Sequence, residues 1–123
     1  MRFLLLICVF LTTSAAAQRV DANLDCKYTG KDFIYDCVIR LSRGGEPLSG
    51  AQLSVGADMP SMPMAHSIKP VKARSGKKPG EYAARLDLEM PGEWRVKLRL
   101  AGPVRDLLIV HYNFTESGTA PRK

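Results

Sequence analysis

Met59, Met62, Met64 and His66 fall within eight residues of the stretch GADMPSMPMAHS. Thioether sulfur is a soft ligand and imidazole a versatile one, so three methionines with a histidine form a set suited to Cu(I). Zn would call for more imidazole, thiolate or carboxylate. Thioethers bind without deprotonation and are not consumed by disulfide formation, although oxidation to the sulfoxide disables them. Pro60 and Pro63 interrupt the stretch and lack the N–H that a β-ladder uses, so Met59 to Pro63 reads as a loop or a sheet edge. Met62, Met64 and His66 keep a spacing of two, which on an extended chain aims three side chains to one side, with Met59 closing over them. Packing is the competing account. Met fills irregular gaps in cores, and on that reading Met62 and Met64 plug the end of the domain with His66 at its rim.

Little else in the chain is arranged for chemistry. His111 lies in LLIVHYNF between the outward alternates Leu107 and Ile109 and the chain's last turn signals. It reads as a surface or sheet-covered histidine, with a fourth-ligand role as the alternative. There is no glycine-rich phosphate loop and no close cluster of carboxylates, and a Ser–His–Asp set is recognised by geometry rather than by order in the chain. The expectation is a protein that is not an enzyme.

The first residues place this chemistry in a compartment. MRFLLLICVFLTTSAAAQ has a basic Arg2, an apolar run from Phe3 to Leu11 and small residues through Ala17, the pattern of a secretory signal peptide over residues 1–17. The run is about half of the ~20 apolar residues a spanning helix needs, and no later segment approaches that length. No membrane span is expected after cleavage, and the mature protein is expected to be periplasmic or secreted. Cys8 departs with the signal because bulky Ile7 precedes it where a lipoprotein needs a small residue. Cys26 and Cys37 remain, and an oxidising compartment favours joining them. Redox activity and thiolate ligation are the alternatives, and ligation would need closer spacing or two more ligands. Closing a loop of roughly a dozen residues contributes on the order of 3 kcal/mol in the chain-entropy account.

Of 123 residues, 106 follow the signal, and the formal charge falls from +6 to +5 with the loss of Arg2. A basic balance permits polyanions or anionic membranes as partners, but export removes ordinary access to cytoplasmic nucleic acid, so none is expected. The densest basic run, KPVKARSGKK from 69 to 78, contains Pro and Gly and reads as a solvated loop, with membrane or polyanion contact as the lesser option.

The elements that must position the Met/His stretch are strands. In EWRVKLRL, Trp94, Val96, Leu98 and Leu100 face one way and Glu93, Arg95, Lys97 and Arg99 the other, with Trp94 as a core plug. EYAARLDL alternates in the same manner, and MPGE turns between the two to make a hairpin. Further strands are expected at 24–28, 33–41, 51–57, 64–71 and 104–114, separated by turn-forming residues. No segment carries a helical period, and there is no internal repeat. About seven antiparallel strands in this length predict an all-β, immunoglobulin-like sandwich over residues 18–114, with a small Greek-key barrel as runner-up and a flexible tail from 115 to 123.

With these pieces in place, the chain resembles the YtkA-like family, which is related to FixH-like exported domains. The matching pieces are Met59-Pro60-Ser61-Met62-Pro63-Met64-Ala65-His66 and Gly80-Glu81-Tyr82 through Met90-Pro91-Gly92-Glu93-Trp94, spanning roughly Ala51 to Leu100. The resemblance implies an immunoglobulin-like exported domain associated with copper handling and cytochrome oxidase maturation. FixH-like proteins usually carry a membrane helix, whereas this chain has no apolar run of that length. The first fifty residues add nothing to the resemblance.

Two functions are carried forward. One is an exported domain that binds or delivers Cu(I) through Met59, Met62, Met64 and His66, with a copper donor or acceptor protein of the cell envelope as partner. The other is an interaction module that presents the same methionine patch to a protein without any metal.

Overall fold

Alternating apolar residues along most of the chain require two sheets that bury one face each, and that is the arrangement found. A computed structural model describes residues 19–121, so the expected signal segment 1–17 lies outside the described residues. Ten strands occur, with no helix among the described residues: β1 Val20–Tyr28, β2 Ile34–Arg43, β3 Glu46–Pro47, β4 Gln52–Asp58, β5 Ser67–Lys72, β6 Arg74–Ser75, β7 Glu81–Asp87, β8 Gly92–Ala101, β9 Asp106–Thr115 and β10 Gly118–Pro121. Among the described residues no helix is long and apolar enough to cross a membrane. Seven of the strands have six residues or more and coincide with the seven expected ones. One antiparallel sheet runs β1-β2-β7-β6 with β3 beside β2, and the other runs β10-β9-β8-β4-β5. This is the immunoglobulin-like sandwich, not a closed barrel.

The core follows from the alternation. Tyr35, Ile39, Leu86, Val55, Trp94, Val96, Leu98 and Phe114 are fully buried between the sheets. Each such side chain contributes roughly 1.5–3 kcal/mol by leaving water. Two tyrosine hydroxyls tie the sheets together and a third holds the β3–β4 connection. Tyr35 donates to Thr115 O at 2.7 Å, Tyr112 Oη accepts from Leu24 N–H at 3.1 Å, and Tyr82 donates to Leu48 O at 2.8 Å. Burial of a hydroxyl is costly without such partners. Cys26 and Cys37 stand opposite one another on β1 and β2 and are joined by a disulfide with an S–S distance of 2.01 Å. The bond staples neighbouring strands of one sheet and is not a pin between sheets.

Three expectations are corrected. The run 69–78 is not a simple loop: its first part completes edge strand β5, and Arg74–Ser75 pair with β7, so the chain crosses from one sheet to the other within a few residues. Its side chains are nonetheless mostly exposed. The expected tail contains β10, which pairs with β9 from Gly118 opposite Thr115 to Pro121 opposite Tyr112. Pairing supplies partners for backbone groups that a loose tail would leave to water. The strand expected at 64–71 begins only at Ser67, because Met64 to His66 belong to a turn.

Candidate functional site

The Met/His stretch is the connection from β4 to β5 at one end of the sandwich. Its root is fixed at Asp58, the last residue of β4 and the one buried charged residue among those described, 7% exposed. Asp58 Oδ1 accepts from Arg95 Nε at 2.7 Å and Oδ2 accepts from Arg95 Nη2 at 2.8 Å, a bidentate pair across to β8. Lys97 Nζ lies 3.1 Å from Oδ2. The hydrogen bonds from Arg95 hold the Asp58 carboxyl below the usual carboxylate range; burial opposes them and Lys97 adds to the lowering. This anchor escaped the reading of the sequence, although the outward face of EWRVKLRL carries Arg95 and Lys97 and so called for an acidic partner.

Past Asp58 the backbone coils. Met59 N–H donates to His66 O at 3.0 Å and closes the loop; Met62 N–H donates to Met59 O at 3.1 Å and His66 N–H to Met62 O at 3.0 Å. The extended, period-two geometry is therefore wrong for Met62, Met64 and His66. A bond from residue 66 back to 62 is one helical turn, and residues four apart on a turn share a side. The structure closes one turn between Met62 and His66 through the backbone and sets Met64 97% exposed at the tip.

Packing explains one methionine and fails for two. Met59 is 6% exposed and belongs to the core, its Cε 3.0 Å from where a Cβ would stand on Gly92. Met62 is 43% exposed and Met64 almost wholly so, so neither plugs the sandwich. His66 is half-buried. His111 lies on the outer face of β9, separated from β4 by β8, with Nδ1 3.9 Å from Glu93 Oε1; it is not part of the loop. Leu107 and Ile109 face outward beside it, as alternation required. Among the described residues no three His, Cys, Asp or Glu side chains are grouped so that they could hold a metal. A metal site in this part of the chain would have to be built largely on sulfur from methionine, since the cysteines are bonded to each other.

The YtkA-like family model matches residues 18–99. The match is wider than the resemblance read from the motifs, since it takes in residues 18–50 and with them the Cys26–Cys37 hairpin. No curated protein and no solved structure matches the chain.

Proposed function

The chain belongs to the YtkA-like family, and from that premise we propose that it is an exported, non-enzymatic domain that holds Cu(I) at the β4–β5 loop for exchange with another protein of the cell envelope. The observation that supports this reading is the display of Met62 and Met64 in solvent on a loop whose root is anchored from two sides, by Asp58 with Arg95 and by Met59 in the core. Burying a methionine is worth roughly 1.5–3 kcal/mol, which a fold using these residues for packing would not forgo. Soft thioethers select Cu(I), and His66, whose backbone N–H bonds to Met62 O in the same turn, offers an imidazole as a further donor. Met59 serves first as the loop's anchor, buried in the core. An exposed site of neutral ligands suits a cargo that must be released as well as bound.

The same exposure favours the second reading, a methionine patch that contacts a protein partner without metal. Replacing Met62 and Met64 together with Leu keeps apolar surface and removes both sulfurs. At these exposed positions the change in stability should stay within about 0.5 kcal/mol. In competition with a Cu(I) chelator the wild type is expected to bind one Cu(I) and the double variant to lose it, while His66→Ala weakens binding less because the thioethers remain. Retention of wild-type Cu(I) affinity by the double variant would leave the contact module as the function.

A further inference from the structure

Four methionines lie among the described residues, and all four stand at the same end of the sandwich. Three are in the β4–β5 loop. The fourth, Met90, is in the β7–β8 turn, and the two connections leave the sheet side by side because β4 pairs with β8 through Asp58 opposite Arg95. Met59 Cε lies 3.0 Å from where a Cβ would stand on Gly92, the first residue of β8 and two residues after Met90. The rest of the buried core is Leu, Val, Ile, Ala, Cys and aromatic residues, with no methionine away from this end. A residue used as general filler would be scattered through the core. Here it is segregated.

The turn that carries Met90 is also held in an unusual shape. Glu89 has φ of +64° and Gly92 of +132°, and the Trp94 indole N–H donates to Met90 O at 3.3 Å. Positive φ at a glutamate is a strained conformation that surrounding structure must maintain, and such strain gathers at functional sites. The Met90 side chain is half-buried at the margin of the core, neither sealed into it nor free in solvent.

We propose that Met90 supplies a further thioether to the Cu(I) held by the β4–β5 loop, so that one site spans two connections with Met59 packed between them. This rests on the copper reading above. Bound metal would then tie the loop that bears Met62 and Met64 to the turn that bears Met90. No redox step is involved, and only neutral sulfur lone pairs are donated.

The test is Cu(I) titration of the purified exported protein against a competing chelator, for wild type and for Met90→Leu, with the number of sulfur neighbours counted by X-ray absorption. The expected result is one Cu(I) on the wild type, and in the variant one fewer sulfur with affinity lower by about ten- to a hundredfold, the scale on which even outer partners of a metal act. An unchanged affinity and sulfur count in Met90→Leu would overturn the role of Met90 while leaving the copper reading in place. Absence of Cu(I) binding by the wild type would overturn both. Should the variant fold poorly, the methionine methyl signals of wild-type protein in NMR decide: the Met90 signal must move on Cu(I) addition together with those of Met62 and Met64, and a stationary Met90 signal refutes the proposal.

Discussion

Asp58 shows how one residue governs the site without belonging to it. Its carboxylate ends β4, is met by both nitrogens of an Arg95 fork and by Lys97, and immediately precedes Met59. Asp58→Asn should cost about 1–2 kcal/mol in chemical unfolding, the loss of charged hydrogen bonds discounted for the partly exposed Arg95 and Lys97. The pH dependence carries the same signature. Because the folded-state pKa is lowered, the contribution is complete above the unfolded value of about 4 and is lost as pH falls through the folded one. Wild type should therefore lose more stability than Asp58→Asn between pH 5 and about pH 2. Parallel acid profiles for the two proteins would show that Asp58 makes no such contribution. Asp36, paired with Arg85 on the opposite sheet, has its carboxyl lowered by the same kind of hydrogen bond and titrates in the same direction, but it lies exposed at the surface.

Among the elements, two connections matter more than the strands they join. The β4–β5 loop coils because Pro60 and Pro63 withhold ladder donors while Met59, Met62 and His66 bond one another's backbones. The start of β8 can lie against Met59 of this loop because Gly92 has no side chain and takes a φ that L-residues rarely adopt. Gly92→Ala should destabilise the domain by about 1–3 kcal/mol, from strain at that φ together with crowding of the Met59 methyl. A thermal midpoint equal to that of the wild type would mean that Met59 is not seated against the start of β8. The exposed edge strand β5 carries Lys69, Pro70 and Lys72, which discourage pairing with another copy.

At the scale of the molecule, the two sheets are tied at their margins as well as through the core. The chain changes sheets between β5 and β6, and β10 lies against β1, where Thr119 Oγ1 accepts from Cys26 N–H at 2.9 Å. Truncation after Ser117 would strip β9 of a neighbour and leave that amide without its acceptor. The expected loss is about 1–2 kcal/mol, and each kcal/mol lowers the midpoint by roughly 4–8 °C in a domain of this size. If the truncated chain melts with the full-length one, β10 contributes nothing to the fold. Cu(I) binding should survive truncation, because none of the donors proposed for it lies beyond Met90.

Period-two alternation is a property of neighbours, so residues 81–88 and 93–100 announced their strands, their inward faces and the turn between them without help from the rest of the chain. Cys26 and Cys37 could be paired because the expectation of export left these two cysteines and favoured joining them, and the Met/His stretch could be called a loop because proline lacks an N–H. The direction in which that loop coils was not written locally. The same spacing suits an extended chain or a helical turn, and the choice fell to Met59 entering the core and to Asp58 meeting Arg95, a partner 37 residues away. Only tertiary structure brings Met59 against Gly92, two residues after Met90, or turns a polar tail into β10, since those contacts join segments far apart in sequence whose separate compositions carry no sign of one another.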